Sequence, residues 1–174
     1  VKGLLHASVL DNNPVLFIDE RWLYSSEGDV PRDLYTVPIG KANVVREGKD
    51  LTLVATSFMV SQSCIAAERI KEEKNIDVEI IDLRTIKPLD REMIYKSIRK
   101  TGRLLIVDAA WKSFGIGAEI SASVSEEQFH LLKHPIERLS LPDTPAPVSA
   151  NEEAAYYIDN KTIYDKIIQI FERK

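Results

Sequence analysis

A chain of 174 residues has room for one α/β domain with a sizeable core and a fragment of another, and 44% apolar with 29% charged residues is ordinary globular composition. A net charge of −4 offers nothing to attract nucleic acid or an anionic membrane, and no apolar run approaches the roughly 18–20 residues that span a bilayer. Cys64 is the single cysteine, which excludes an intrachain disulfide and a thiolate zinc cluster and suits a reducing compartment. The opening Val-Lys-Gly lacks an initiator Met, so the chain is expected to be processed or a piece of something longer.

Residues 2–10 read as the tail of a helix, stopped by Asp11-Asn12-Asn13-Pro14, and residues 15–18 then read as a strand. Residues 19–38 are rich in Ser, Asp, Gly and Pro, longer than a compact domain usually tolerates, so a boundary is expected inside them. The expected division is 1–35, a remnant with no sheet of its own plus a linker, and 36–174, the domain that follows. Within the latter, residues 37–45 predict an edge strand, 46–50 a turn and Leu51–Ala55 a buried strand. Residues 59–74 predict a helix with Val60, Cys64, Ala67 and Ile70 near one face, and 78–83 predict the next strand. Asp90 is a cap for a helix over 91–100, with Leu89 and Ile94 at staple spacing and Gly102 just past the end.

The stretch 103–120, RLLIVDAAWKSFGIGAEI, follows. Its residues 104–107 are a short continuous apolar run of the kind a buried parallel strand shows, and 108–112 are read as a turn. After Gly115 and Gly117 comes a helix with Ile116, Ile120 and Val124 on its apolar face. Residues 136–141 predict the last strand, Pro142, Pro145 and Pro147 a stiff connection, and Asp159 the cap of a final helix whose Ile163, Ile167, Ile170 and Phe171 share a face. Strand and helix alternate four times, which predicts an α/β fold: a mostly parallel sheet with helices on both faces.

Chemistry is sparse. Gly115-Ile116-Gly117 at a helix start is a phosphate-cradle pattern, but the third glycine of a dinucleotide fingerprint would fall at Ile120, so close backbone packing is favoured. Ser61, Ser63 and Cys64 sit on a helix without a nucleophile-elbow context, and Cys64 is read as core. His130 and His134 stand four apart, yet Pro135 ends their helix and no carboxylate lies between them, so they are read as solvated residues rather than metal ligands. His6 stands apart from both. Glu119 either complements the helix dipole or joins an interface, and Asp82 with Arg84 either pair with a neighbouring chain or decorate the surface. The residues alone contain no complete active site: no catalytic, cofactor or metal residue is assigned.

The strings IGKANVVREGKDLTLVATSFMV, EIIDLRTIKPLD, TGRLLIVDAAWKSFGIGAEISA and PDTPAPVS together resemble the C-terminal half of the beta subunit of the first component of 2-oxo acid dehydrogenase complexes, the pyruvate, branched-chain 2-oxo acid and acetoin dehydrogenases. Even KGLLHASVLDNNPVLFIDERWLY resembles the end of the preceding pyrimidine-binding domain and its linker. The resemblance implies a three-layer α/β/α sandwich with one antiparallel edge strand, like the transketolase C-terminal domain. It implies an enzyme that uses thiamine diphosphate and magnesium to decarboxylate a 2-oxo acid and pass the acyl group to a lipoyl arm. Its partners would be an alpha subunit, a second beta subunit and the dihydrolipoyl acyltransferase core. The compartment would be the cytoplasm of a bacterium or archaeon, or the mitochondrial matrix of a eukaryote.

The family's cofactor motif, a Gly-Asp-Gly with a distant Asn, belongs to the alpha subunit, and Gly28-Asp29-Val30 here is no such motif. The beta subunit's catalytic Glu and His belong to the pyrimidine domain, before Val1, so the chain alone is expected to bind no cofactor and to be inactive. Competing readings are the same domain of a transketolase-like enzyme acting on sugar phosphates, and an autonomous binding module with this fold. For an assembly domain, the expected interface with a second copy is Trp111, Phe114, Gly115, Gly117, Ala118 and Glu119: aromatic anchors beside small residues that admit a neighbouring backbone. The alternative is that Trp111 and Phe114 fold back onto residues 19–38. The end of the chain, Phe171, Arg173 and Lys174, is expected near the acyltransferase docking site by resemblance.

Overall fold

The computed structural model describes residues 1–173. The strands are β1 (Asn43–Arg46), β2 (Leu51–Ala55), β3 (Val78–Asp82), β4 (Leu104–Trp111) and β5 (Glu137–Leu141). They form one sheet in the order β1-β3-β2-β4-β5, parallel except for β1, which runs antiparallel to β3 at one edge. The helices are α1 (Lys2–Leu10), α2 (Phe58–Lys74), α3 (Arg91–Thr101), α4 (Ile116–Gln128), α5 (Ala150–Tyr156) and α6 (Asn160–Glu172).

Strand alternation sorts the core into two layers. Leu51, Leu53, Val78, Ile80, Leu105 and Val107 face α2 and α6, and Val54, Ile81, Leu104 and Ile106 face α3 and α4. The result is the expected α/β/α sandwich. All five residues of β2 are buried, which is why a central strand reads as an unbroken run. Thr52 is the polar exception, and its hydroxyl meets those of Ser97 (2.6 Å) and Thr101 (2.7 Å) from α3. Each buried Leu or Ile contributes about 1.5–3 kcal/mol, so the two layers carry the fold.

The helix ends follow local chemistry. Asp90 accepts the Met93 N–H (3.3 Å) through one oxygen and the Ala42 N–H (3.1 Å) through the other, capping α3 and tying it to the start of β1. Gly102 closes α3 at φ 68, in the left-handed region, its N–H bonded to Ile98 O (2.8 Å). Asp159 caps α6 through the Thr162 N–H (2.7 Å).

Two expectations are corrected. Residues 15–18 form no strand: Leu16 and Ile18 are 86% and 76% exposed, because a strand needs a neighbour for its N–H and C=O groups and the sheet offers none there. The antiparallel edge strand begins at Asn43, not at residue 37, since Pro38 has no donor and Gly40 turns the chain at φ 79. The buried face of α2 is Met59, Ser63, Ala66, Ala67 and Ile70, with Val60 and Cys64 packed at its margin. Helix α5 was absent from the pattern because it buries no residue and so has no apolar stripe.

The amino-terminal segment is strapped to the body. Val37 N–H donates to Gly3 O (3.0 Å), and the Lys2 ammonium donates to the carbonyls of Pro31 (2.6 Å), Arg32 (3.1 Å) and Asp33 (2.9 Å). Trp22 stands edge-on to Phe58 and Tyr157, with ring centroids 5.0 and 5.2 Å away. The linker's anchor is therefore Trp22.

Candidate functional site

Strand β4 runs on to Trp111, past the turn expected at 108–112, because a register shift after Asp108 pairs Trp111 with Leu141 and Lys112 N–H donates to Leu141 O (3.0 Å). Through this bulge the chain leaves the core: Leu104 to Asp108 are buried, Ala109 to Trp111 exposed. The following turn is held from beneath. Ser113 donates its N–H (3.1 Å) and hydroxyl (2.6 Å) to the Asp143 carboxylate, and Arg138 donates to Lys112 O (3.2 Å). The Ser113 hydroxyl and N–H hold the Asp143 carboxyl below its usual range.

Trp111 is 55% exposed and Phe114 fully so, with Phe114 at φ 60 in the left-handed region. They border a shallow hollow of about 470 Å³ lined with Ala109, Ala110, Ser113, Gly115 and Leu141. The linker does not cover them, so the alternative in which they fold back onto residues 19–38 is overturned. The aromatic contact that the linker does make is through Trp22, on the α2 side.

Asp108 lies under the turn. Burial pushes its carboxyl up, backbone N–H groups of Ala110 and Gly117 partly offset this, and Oδ2 has no partner. The first turn of α4 thus already faces a carboxylate, and a Cβ on Gly115 would stand 2.6 Å from Trp111 O. A phosphate would meet the Asp108 carboxyl oxygen and the Trp111 carbonyl there. The glycines serve packing: Gly117 is buried, with Ile106 and Arg138 at 3.4 and 3.5 Å from where a Cβ would stand. Gly117 therefore packs against its own sheet. Ala118 is half-buried, and exposed Glu119 pairs with Arg91 (2.7 Å).

The remaining candidates resolve plainly. Burial, then the charge of Glu68, pushes the Cys64 thiol up, which opposes a nucleophilic role and agrees with its margin-of-core position. His130 lies in a 3-10 turn after α4, while His134 Nδ1 is 2.8 Å from Pro135 O and His6 Nδ1 3.3 Å from Tyr35 O. Among the described residues no three His, Cys, Asp or Glu side chains are grouped to hold a metal ion. Asp82 accepts the Arg84 N–H (3.0 Å) and faces its guanidinium at 3.9 Å, within one chain.

Residues 40–163 match the family description "Transketolase, C-terminal domain". The chain belongs to the transketolase C-terminal domain family. Acetoin:2,6-dichlorophenolindophenol oxidoreductase subunit beta of Bacillus subtilis (strain 168) is 42% identical over 155 residues, covering 89% of this chain and 45% of that protein. The mitochondrial pyruvate dehydrogenase E1 component subunit beta of Dictyostelium discoideum is 40% identical over 176 residues, covering 99% and 49%. The chain spans about half the length of these curated relatives. A solved structure described as "Split gene transketolase, inactive beta4 tetramer" superposes with TM-score 0.68 at 23% identity, over 79% of this chain and 43% of that one, which shows the shared fold.

In this transketolase C-terminal domain the two sets of expected contact residues lie at opposite ends of the sheet. Phe171 packs at the core margin beneath the Arg103 guanidinium (4.9 Å), and Arg173 pairs with Glu137 (3.1 Å), which also holds Lys166 (2.8 Å). Arg103 precedes β4 and Glu137 opens β5, so this end of α6 stands at the amino edge, whereas Trp111 and Phe114 stand at the carboxyl edge. Lys174 lies outside the described residues. Sequence reasoning missed Asp143, visible only as part of a Pro-Asp-Thr-Pro turn, and Trp22, whose segment carries no periodicity. Among the described residues no helix is long and apolar enough to cross a membrane.

Proposed function

We propose that this chain is the assembly portion of a beta subunit in a thiamine diphosphate-dependent 2-oxo acid dehydrogenase, and that it meets a second copy through Trp111, Phe114, Gly115, Gly117, Ala118 and Glu119. The observation that carries the interface is the exposure of two aromatic rings on a braced turn: Trp111 at 55% and Phe114 fully. Aromatic side chains bury about 150–250 Å² each, and a two-fold pairing lets one patch cover itself. Oxidative decarboxylation and acyl transfer to a lipoyl group are then activities of the intact enzyme with its alpha subunit, in a bacterial cytoplasm or a mitochondrial matrix. Residues 1–35 are read as the tail of a preceding pyrimidine-binding domain and its linker, supported by the exposed apolar residues Val9, Leu10, Leu16 and Ile18. Phe171 and Arg173 at the amino edge are proposed for acyltransferase docking, where a partner carboxylate would compete with Glu137.

The chain's own residues do not fit thiamine diphosphate and magnesium. The glycine turn is filled by Trp111 O and faced by the Asp108 carboxylate, and the described residues offer no triad of metal-binding side chains. The cofactor is proposed for the intact enzyme alone. Trp111→Ala tests the interface by analytical ultracentrifugation: the wild type is expected to dimerise and the mutant to be monomeric, with cooperative thermal unfolding retained. A wild type that stays monomeric at tens of micromolar, or a mutant that stays dimeric, would refute it.

A further inference from the structure

Asp108 is the last buried residue of β4 before the chain leaves the core. It is 7% exposed, and its Oδ2 has no hydrogen-bond partner among the described residues. A carboxylate so buried is ordinarily paired with a cation. The charged groups on the surrounding elements are engaged elsewhere. Arg138 on β5 lays its stem beside Gly117 and donates to Lys112 O (3.2 Å). Glu119 on α4 holds Arg91 of α3 (2.7 Å), and Asp143, after β5, takes both donors of Ser113. Lys112 is exposed in the turn, and β2, the strand alongside, carries no charged residue. What does meet Asp108 is a carbonyl. A Cβ on Gly115 would stand 2.6 Å from Trp111 O and 3.2 Å from Asp108 Oδ2, so both oxygens crowd the same side of this glycine. Its φ of −70 suits any residue, so the room these oxygens take, not backbone freedom, demands the glycine.

We propose that Asp108 is a proton-dependent positioning residue: as the neutral acid it holds the Trp111–Gly115 turn closed against α4, and on losing its proton it releases the turn. Two acceptor oxygens at such quarters repel, whereas the neutral acid makes Oδ2 a donor opposite the Trp111 carbonyl. The carboxylate would be a buried charge without a cation, and its route to water is outward, through the exposed β4–α4 turn. One proton passes to solvent for each turn released. Burial raises the Asp108 carboxyl, and the N–H groups of Ala110 and Gly117 offset this only in part. The closed turn is therefore favoured below the folded value and lost as pH rises through it. The device lies within one chain and is independent of what covers Trp111 and Phe114.

Tryptophan emission tests it. Trp22→Phe keeps a ring at the linker's anchor and leaves Trp111 as the one tryptophan of the chain. At submicromolar concentration the emission of this parent is expected to shift to the red as pH rises from acid to mildly alkaline. The midpoint is expected above the ordinary aspartate value of about 3.9. Asp108→Asn in this parent, neutral at every pH, is expected to hold the emission at its low-pH position. Gly115→Ala, whose Cβ cannot coexist with the two oxygens, is expected to hold it at the high-pH position. In urea unfolding, the gap between the parent and Asp108→Asn is expected to widen in favour of Asn as pH rises, where a merely structural role would leave it constant. A parent whose emission is flat, or whose midpoint lies at or below the ordinary value, overturns the proposal. Titration like the parent's in either variant overturns it too, as does a constant gap in urea.

Discussion

Asp159 shows how much a single carboxylate contributes at a helix start. It accepts the Thr162 hydroxyl (2.6 Å) and N–H (2.7 Å), and these two bonds hold its carboxyl below the usual range. Folding therefore favours the charged form. The associated stability is complete above the unfolded carboxyl value, near 3.9, and is lost as pH falls through the lower folded value. Asp159→Ala is expected to cost about 1 kcal/mol in urea unfolding at neutral pH, and the difference between mutant and wild type should shrink in acid. A difference that does not change with pH would mean the cap acts without its charge. Asp82 and Asp108 run the other way. Burial raises both, so folding favours their protonated forms and their contribution is lost as pH rises through the folded values.

At the level of elements, the linker is bound by aromatic edges rather than by a ladder. Trp22 against Phe58 and Tyr157 makes two ring contacts, each worth about 1 kcal/mol beyond the area it buries. Trp22→Ala is expected to free the linker locally, speeding tryptic cleavage after Arg21 and Arg32 at least about tenfold while the melting of the sheet domain barely moves. Cleavage at the wild-type rate would show that Lys2 and its three carbonyls carry the attachment instead. The contrast with the rest of the chain explains what could be read beforehand. Leu51–Ala55 announces itself because burial on both faces leaves no polar position, and α6 because Ile163, Ile167 and Ile170 repeat on one stripe. Helix α5 and the path of residues 19–38 depend on contacts between distant segments, which leave no period. Residues 15–18 mislead for the opposite reason: their composition suits a strand, but a strand exists only with a neighbour.

For the molecule as a whole, the sheet separates two surfaces, an aromatic carboxyl edge and an amino edge where Glu137 gathers Lys166 and Arg173. The aromatic patch was legible because Trp111 and Phe114 sit beside glycines after a buried run. Its bracing by Asp143, 29 residues beyond Phe114, was not, because only the pairing of β4 with β5 brings them together. Calorimetric titration with thiamine diphosphate and magnesium is expected to give no saturable heat at micromolar concentration, and clear binding there would contradict the assignment of the cofactor to other parts of an enzyme. The hydroxyls of Thr52, Ser97 and Thr101 have a consequence for descent. Losing Thr52 takes a bond from both Ser97 and Thr101, at about 1–3 kcal/mol, although Thr101 keeps Arg103 O (3.2 Å), whereas losing Ser97 or Thr101 leaves Thr52 the other hydroxyl. A lineage therefore parts with Ser97 or Thr101 at modest cost, while a descendant that changes Thr52 first carries a debt of stability until its two neighbours follow.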